Sequence, residues 1–439
     1  MSGTKPRNKQ KNPNFSPQLT ISSKVVSMGN MAGACLRLLQ GLFRKEAITR
    51  ASIGVRQYHQ QSSLGENMDP VFQEFSWISR FAPVFAVNGD QVTILREPSE
   101  FYKTLKEKAR HARNRIVLAS LYLGTGELEQ QLVDSIHEAA KNSTHSLHIQ
   151  ILLEYTRGSR GKHNSRTMLL PLLREYGSNV NISLYHSPDL RGMLKRFVPA
   201  RLNEAIGLHH MKIYLFDDSL IISGANLENQ YFTNRQDRYI LLEDCPQVAN
   251  FFTQLVSTVS GFSFQLHEDD SVSMKEDFGI HPFTGDIKMF KQEAERRVRS
   301  LLDAHQQFTK LTTTKLHNVS NIETVNKTNI LPELRTRKVA GNAGSVCIDD
   351  IEERTIKKQE TIHSTDSSNK LDTLIYPLIQ MGPLGITNDE EATMYLLENS
   401  PCGSRIHLAS GYFNLTESYI DIVLNKSKAF FNILSAAPQ

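Results

Sequence analysis

The chain has 439 residues, of which 39% are hydrophobic, and it carries 50 Lys and Arg against 46 Asp and Glu. This length allows two or three domains that each bury a core. No apolar run is long enough to span a membrane, so we expect any membrane contact to be peripheral. The cysteines lie singly and form no Cys-x-x-Cys pair, which disfavours a disulfide framework or a zinc site, and we predict no metal and no cofactor.

Positive charge is concentrated at positions 1–60, which hold ten bases and one acid and leave 40 bases against 45 acids in the rest of the chain. The body therefore offers no electrostatic reason to bind nucleic acid. The leader is rich in Arg, Lys and Ser, and Leu38, Leu39, Leu42 and Phe43 have amphipathic-helix spacing. We predict a mitochondrial transit peptide and leader over residues 1–67. A disordered basic tail is the alternative.

The globular part begins near Asp69 and alternates helices with strands. Periodicity predicts helices over 98–112, 127–142, 165–176 and 246–260. It predicts strands over Arg115–Tyr122, Leu147–Glu154, Val180–Tyr185, Met211–Phe216, Leu220–Ser223 and Tyr239–Leu242. The order indicates an α/β layer architecture. We interpret the acidic run His267–Asp277 as a solvated loop.

A linker and an internal repeat divide the chain. The stretch between Phe308 and Tyr376 contains no Phe, Tyr or Trp, so we predict a largely disordered linker over 309–371. After it, Arg405–Tyr412 matches Arg115–Tyr122 at six of eight positions with an offset of 290. The predicted domains are therefore 68–308 and an incomplete second copy over 372–439. Two similar buried strands arising by coincidence are the alternative.

One short segment has the residue types for phosphodiester chemistry. His210 and Lys212 are two apart on a predicted strand and share a face, and Asp217 follows at the turn. An imidazole can attack phosphorus or carry a proton, and an ammonium group offsets charge on the phosphoryl oxygens. The alternative is a strand whose polar face carries His and Lys without a catalytic role.

Polar residues on neighbouring segments extend this candidate site. Asn226 ends the following strand, and Asp237 could fix the tautomer of an imidazole or lie on a solvated strand edge. Arg157 and Arg160 surround glycines after a strand and could bind substrate phosphates. A flexible basic loop is equally compatible with that sequence.

His210-x-Lys212-x4-Asp217 with Gly224-Ala225-Asn226 resembles the signature of the phospholipase D superfamily. Asn229–Asp237 and Thr156–Gly161 are similar to the corresponding segments of the mitochondrial phosphatidylglycerophosphate synthases. The resemblance runs from about Phe72 to the end, without much of the linker. It implies a phospholipase D-like α/β sandwich with one complete repeat and an incomplete second repeat.

The resemblance also implies a reaction. His210 attacks the phosphatidyl phosphorus of CDP-diacylglycerol, CMP leaves, and glycerol 3-phosphate resolves the phosphohistidine, in cardiolipin biosynthesis at the mitochondrial inner membrane. Lys212 is then a phosphate ligand and Asp217 its structural partner. The nucleotide-binding segment of the family corresponds to Ala119, Ser120, Leu121, Tyr122, Leu123, Gly124, Thr125 and Gly126. The amides of Gly124–Gly126 could meet a phosphate, although a plain strand-to-helix turn is an equal alternative.

The sequence departs from the family pattern in two places. Ala225 stands where the superfamily has Ser, and Asn226 is shifted by one position. The family carries two His-x-Lys motifs, whereas this chain has one. The spacing from Arg115 to His210, counted again from Arg405, places the second histidine near position 500, past Gln439. We therefore expect an incomplete form of a longer enzyme, either inactive alone or completed by a second copy in a homodimer.

Two other functions remain open from the sequence. Water in place of the acceptor would make the protein a phospholipase D-like phosphodiesterase. The single His-x-Lys motif is also compatible with a non-catalytic lipid-binding protein.

Overall fold

The structure is a computed structural model that describes residues 26–27, 74–143, 147–192, 208–319, 371–410 and 415–435. The strands are β1 (Val26–Ser27), β2 (Phe85–Val87), β3 (Val92–Leu95), β4 (Arg115–Ala119), β5 (His148–Glu154), β6 (Val180–Tyr185), β7 (Ile213–Phe216), β8 (Ser219–Ser223), β9 (Tyr239–Leu242), β10 (Phe264–Leu266), β11 (Val272–Met274), β12 (Thr373–Ile375), β13 (Ile379–Met381), β14 (Ile386–Thr387), β15 (Arg405–Ser410) and β16 (Phe430–Ser435). The α-helices are α1 (Pro98–His111), α2 (Glu127–Asn142), α3 (Tyr155–Gly158), α4 (Ser165–Tyr176), α5 (Asn229–Thr233), α6 (Pro246–Gly261), α7 (Ile287–Val319), α8 (Asn388–Asn399) and α9 (Glu417–Asp421).

A nine-stranded mixed sheet forms the centre of the described molecule, in the order β11-β10-β6-β5-β4-β7-β8-β9-β3. Strands β4, β5 and β6 are parallel neighbours, and the helices α2 and α4 connect them. The strands β7, β8, β9 and β3 pair in antiparallel order beside β4. The α/β class predicted from the alternating pattern is confirmed.

Helices cover both faces of the sheet because the central strands are apolar on both sides. In β5, Ile149 and Ile151 face the layer that contains α1, α2 and α4, whereas Leu152 faces the layer of α6 and α7. The first layer contributes residues such as Phe101 and the second contributes residues such as Phe251 to two separate buried clusters. Strands buried on both faces read as continuous hydrophobic runs, as these do.

The second repeat is visible in the strand pairing. Leu118 of β4 pairs with Ile151 of β5, and Leu408 of β15 pairs in the same parallel register with Ile433 of β16. Helix α8 also follows α1 at the same sequence offset as the matching strands. The two segments thus share a strand pairing and a preceding helix, and the division of the chain into two copies stays a prediction.

The first part of the predicted domain 372–439 packs on the earlier part of the chain. β12 pairs antiparallel with β2, and Ile379 and Met381 of β13 lie in the same buried cluster as α6 and α7. The Asn388 side chain donates to the Phe81 carbonyl at 2.7 Å. These contacts tie residues 371–397 to the body formed by 74–302.

Two local interpretations differ from the structure. The acidic run contains β11 (Val272–Met274), which pairs with β10 in an antiparallel hairpin, so only its turn around Asp269 and Asp270 is a solvated loop. Helix α7 continues to Val319 and so enters the range predicted as linker. Most of the leader and most of the linker lie outside the described residues, and the domain boundaries stay predictions.

Candidate active site

Most of the predicted site residues lie at one end of the central sheet. Strands β4, β5 and β6 end there, and β7 starts there because it is antiparallel to β4, with Ala119 paired to Ile213. Strand β8 ends at the same level, with Ile222 paired to Ile213. Crevices at the carboxyl ends of parallel strands are the usual place for ligands in α/β sheets.

His210 and Lys212 lie just before β7, which begins at Ile213 and not at Met211 as predicted. Lys212 is 3% exposed, and its ammonium group donates to the His210 carbonyl at 2.9 Å. The His210 residue is partly exposed. A buried lysine beside a more accessible imidazole supplies fixed positive charge next to a group that a phosphorus atom could reach.

Asn226 follows β8 and lies in the same region. It is 4% exposed, and its Oδ1 atom is buried and makes no hydrogen bond within the described residues. The neighbouring Ala225 carbonyl accepts from the Tyr214 phenol at 2.5 Å, which fixes the backbone before Asn226. A buried amide oxygen without a partner is costly, which makes Asn226 a residue to test at this end of the sheet.

His209 is a site neighbour that sequence reasoning missed. It is fully buried, with its ring centroid 6.2 Å from that of Tyr185. Neither ring nitrogen has a hydrogen bond of normal geometry to the described residues. Burial, together with the positive charges of Lys212 and His210, lowers its pKa to about 3, and the opposing effect of the Ser120 backbone is smaller. His209 is therefore a neutral ring that packs behind the candidate nucleophile.

Asp217 lies at the opposite end of β7 from His210 and Lys212. It comes five positions after Lys212 along an extended chain, which spans about 16 Å at ~3.3 Å per residue. Its carboxylate accepts from the backbone amides of Arg113, Asn114 and Arg115 at 2.7–3.2 Å. This position favours a structural role for Asp217 over the catalytic one, since the strand is too long for the turn to approach the imidazole.

Asp237 lies just before β9, where Tyr239 pairs with Ser223 of β8. Its carboxylate accepts from the Arg238 amide at 2.7 Å. Burial raises the pKa of the Tyr214 phenol, and the charge of Asp237 adds to that effect. Asp237 is therefore at the same end of the sheet as Lys212, and a role in orienting an imidazole stays a prediction.

Arg157 and Arg160 follow β5 and have different surroundings. The Arg157 guanidinium lies over the Tyr122 ring, 4.7 Å from its centroid, and its amide donates to the buried Glu154 carboxylate at 2.6 Å. Burial raises the pKa of Glu154. Arg160 is exposed. The structure thus holds Arg157 against the site and leaves Arg160 at the protein surface.

The segment Ala119–Gly126 contributes one half-buried aromatic ring and a tight turn. Ala119, Ser120, Leu121 and Leu123 are buried, whereas Tyr122 is partly exposed. The Gly124 amide donates to the Leu227 carbonyl at 2.8 Å. The Glu129 carboxylate occupies the space beside both glycines of the turn, Gly124 and Gly126, and would obstruct a Cβ at either position.

A carboxylate at that position disfavours a phosphate at the same glycines. Glu129 is 1% exposed, and its Oε1 accepts from the Asn229 amide at 2.6 Å. The structure therefore favours the strand-to-helix turn for Gly124–Gly126. The signal available in the sequence was an acidic residue at the third position of a helix, where carboxylates commonly bind free backbone amides.

Within the described residues, no group of three or more His, Cys, Asp or Glu side chains could hold a metal ion. In the same part of the chain, no helix is long and apolar enough to cross a membrane. The arrangement consists of an imidazole, a buried ammonium group, an amide with an unpaired oxygen and an arginine, which together suit the attack of a nitrogen nucleophile on a phosphate diester.

The chain is similar to curated proteins from vertebrates and yeast, although no family model matches it. The chicken protein named CDP-diacylglycerol–glycerol-3-phosphate 3-phosphatidyltransferase, mitochondrial, is 42% identical over 374 residues, which cover 83% of this chain and 61% of that protein. The human protein of the same name is 42% identical over 83% of this chain and 60% of its own length. This chain thus spans about three fifths of those relatives. The Schizosaccharomyces pombe protein named CDP-diacylglycerol–glycerol-3-phosphate 3-phosphatidyltransferase is 32% identical over 83% of this chain and 70% of its own length.

Solved structures with a partial likeness include the phosphatidylserine synthase of Haemophilus influenzae. It is 13% identical, has a TM-score of 0.43, and is matched over 83% of this chain and 66% of its own. The phospholipase D family member Nuc from Salmonella typhimurium is 12% identical with a TM-score of 0.30, over 42% of this chain and 98% of its own.

Proposed function

Because the chain belongs to the family of the CDP-diacylglycerol–glycerol-3-phosphate 3-phosphatidyltransferases, we propose that it provides a phosphatidyl-transfer site. The donor is CDP-diacylglycerol, the acceptor is glycerol 3-phosphate, and the products are CMP and phosphatidylglycerophosphate. The observation that supports this proposal best is the pair formed by His210 and the buried Lys212 at the carboxyl ends of the parallel strands. The names of the relatives favour transfer over hydrolysis.

In the first step, a ring nitrogen of His210 attacks the phosphatidyl phosphorus, and the bond from that phosphorus to the bridging oxygen of CMP breaks. Lys212 stabilises the charge on the phosphoryl oxygens, and the Nδ2–H donors of Asn226 supply a second contact in the same region. In the second step, a hydroxyl of glycerol 3-phosphate attacks the phosphohistidine, loses its proton and releases His210. Each step exchanges one bond at phosphorus for another, so no oxidant or reductant is needed to balance it.

The departing CMP oxygen and the attacking hydroxyl both need a group that exchanges protons. The sequence contains one His-x-Lys motif. A homodimer would bring the His210 of a second copy to the reaction, and the same role for a histidine outside this sequence is equally consistent with the proposal.

We also propose that the protein acts in the mitochondrion, peripherally on the inner membrane. The chicken and human relatives carry "mitochondrial" in their names, and the basic leader has the composition of a transit peptide. A fluorescent fusion of the full chain should reach mitochondria, and deletion of residues 1–67 should leave the fusion in the cytosol. Mitochondrial import of the deletion variant would contradict the leader assignment.

The experiment for the reaction is to incubate the purified chain with CDP-diacylglycerol alone and to measure CMP release and protein mass. We expect one phosphatidyl adduct on the wild type and none on His210→Ala, because the substitution removes the nucleophile. Addition of glycerol 3-phosphate should then give phosphatidylglycerophosphate, with a loss of about 10³-fold or more in His210→Ala.

The matched control is His148→Ala, an exposed histidine at the opposite end of β5, which should behave as wild type. Unchanged turnover in His210→Ala would place the chemistry elsewhere. Release of phosphatidic acid without transfer would identify a hydrolase instead.

A further inference from the structure

Two arginine–tyrosine pairs lie in segments at the same end of the sheet as the candidate nucleophile and are not used by the first step of the proposed reaction. Arg157 lies over the Tyr122 ring, and Arg235 lies over the Tyr231 ring, with each guanidinium carbon 4.7 Å from the ring centroid. We call these four side chains the arginine–tyrosine cluster.

The two pairs are close enough to influence each other. The Gly124 amide, in the segment of the first pair, donates to the Leu227 carbonyl, in the segment of the second pair, at 2.8 Å. Burial, together with the charge of Glu228, raises the pKa of Tyr122, and the charge of Arg157 opposes that effect. Tyr122 follows β4, Arg157 follows β5, and the other pair lies in the segment after β8. The cluster is thus built by three segments that leave the same end of the sheet.

Stacking prepares both guanidinium groups for an anion. An arginine on an aromatic ring uses its planar face for the contact, whereas its N–H donors lie in the plane and point outward. A guanidinium has five such donors, and the Arg235 group uses one of them for its hydrogen bond to the Gln230 side chain at 2.9 Å. The ring contact also restricts the side chain, which lowers the entropy lost on binding.

Two carboxylates lie near the cluster, and they differ in access. Glu154 is 2% exposed, and its carboxylate accepts from the Thr156 hydroxyl and the Arg157 amide, so its charge is directed into the protein. Glu228 is the acidic neighbour of Tyr122 and Arg235 at the accessible side. At this end of the sheet, the three basic groups of Arg157, Arg235 and Lys212 exceed the two partly exposed carboxylates of Glu228 and Asp237 by one charge.

The charge of the cluster fits one part of the acceptor. A phosphate monoester carries close to two negative charges at pH 7, on one phosphorus and three terminal oxygens. The donor diphosphate carries one charge on each phosphorus, and one of these must lie at His210. Two forked guanidinium groups therefore match a single dianionic phosphate best.

We propose that Arg157 and Arg235, held by Tyr122 and Tyr231, bind the phosphate monoester of the acceptor substrate. This inference rests on the proposed function for the identity of the acceptor, and it adds Arg235 and both tyrosines to the site. The cluster selects a phosphorylated polyol over the same polyol without phosphate. The two arginines bind the phosphate group, which is separate from the hydroxyl that reacts.

The test is calorimetric binding of glycerol 3-phosphate to the full chain, which does not require turnover. We expect binding by the wild type and at least tenfold weaker binding by Arg157→Gln and by Arg235→Gln. Arg235→Lys should fall between the wild type and Arg235→Gln, because it keeps the charge and loses the fork. Glycerol should not bind detectably, and binding of glycerol 3-phosphate should weaken with added salt because Arg235 is exposed.

Arg238→Gln is the matched control, since Arg238 is exposed and close to Arg235 in the sequence, and it should bind as the wild type does. Equal affinity in Arg235→Gln and the wild type would overturn the proposal, as would equal binding of glycerol. Where turnover is measurable, Arg235→Gln should raise KM for glycerol 3-phosphate and leave KM for CDP-diacylglycerol unchanged. A rise confined to the donor KM would assign the cluster to the diphosphate and overturn the proposal.

These outcomes are separate from those for the reaction. Absence of any phosphatidyl adduct on His210, combined with binding that depends on Arg157 and Arg235, would remove the proposed function and leave a phosphate-monoester site. Adduct formation and transfer, combined with a KM for glycerol 3-phosphate that Arg235→Gln does not change, would retain the proposed function and overturn the proposed role of the cluster.

Discussion

Asp217 has a left-handed backbone conformation, with φ 52°, in the turn between β7 and β8. Its carboxylate binds three consecutive amides at the start of β4, and its carbonyl accepts from the Arg115 guanidinium at 2.8 Å. The residue thereby joins the β7–β8 turn to the central strand. Such a position is stabilised by Asp or Asn, whose side chains tolerate this conformation and bond locally.

We predict that Asp217→Ala lowers the free energy of unfolding by about 2–3 kcal/mol, because it leaves backbone amides without an acceptor. Asp217→Asn should cost less, since it keeps one acceptor oxygen. Urea unfolding followed by circular dichroism measures both. A variant with wild-type stability and strongly reduced phosphatidyl transfer would instead indicate a catalytic role for Asp217.

His209 gives a prediction about pH. The unfolded chain protonates this histidine below about pH 6.5, whereas burial holds the folded-state pKa at about 3. Protons therefore bind preferentially to the unfolded state, and stability falls as the pH drops from 6.5 towards 3. One such group contributes up to about 1.4 kcal/mol per pH unit.

The measurement is the free energy of unfolding from about pH 7.5 to about pH 4.5 for the wild type and His209→Phe, which keeps a ring of similar size and does not titrate. We expect a shallower slope in the variant. His305, whose pKa burial also lowers, is present in both proteins, so the difference isolates His209. Parallel curves would show that His209 titrates normally in the folded protein.

At the scale of elements, the loop between β4 and α2 is coupled to the loop after β8 through Glu129. The carboxylate lies against Gly124 and Gly126 and accepts from the Asn229 amide. Residues that follow two different strands of the sheet are thus held in one arrangement beside Asn226 and Tyr122.

We predict that Gly124→Ala destabilises the protein by about 1–3 kcal/mol, since the new methyl group would displace the Glu129 carboxylate. In a Glu129→Ala background the same substitution should cost much less, because the obstructing atoms are gone. Thermal or urea unfolding of the two single variants and the double variant gives the coupling energy. Additive effects would show that Gly124 and Glu129 act independently.

The secondary-structure elements were easier to predict from the sequence than the contacts between them. Apolar periodicity predicts helix α2 and strands β5, β6 and β9, because apolar residues recur along the sequence at the spacing of the buried faces. The separation of Asp217 from Lys212 depends on how many residues stay extended, and the Glu129 contact depends on the pairing of distant strands. His209 was overlooked because adjacent positions on a strand face opposite sides. The sequence alone did not show which of the two sides is buried in the protein interior.

At the scale of the whole molecule, the strands β15 and β16 differ from their counterparts in the first repeat. Ile149 and Ile151 of β5 are buried, whereas Phe430 and Leu434 of β16 are 68% and 72% exposed. Exposed apolar strands favour association with other chains. The face of β16 that carries Phe430 and Leu434 is therefore the expected place for self-association.

We predict that Phe430→Lys combined with Leu434→Lys lowers self-association, measured by sedimentation velocity, and changes the free energy of unfolding by less than about 1 kcal/mol. Met289→Lys, which alters an exposed apolar residue on α7, serves as the control and should leave association unchanged. Equal association of both variants would indicate that another surface is responsible.

The two ends of β7 have separate tasks, since Lys212 and His210 lie at one end and the bonding of Asp217 lies at the other. Random mutagenesis followed by selection for heat tolerance should therefore retain Asp217 and Arg115, whose hydrogen bonds join the turn to β4, without restricting substrate preference. Selection for new acceptors should instead enrich changes in the loops after β4, β5 and β8. Thermal tolerance and acceptor choice can thus evolve with little mutual interference in this protein.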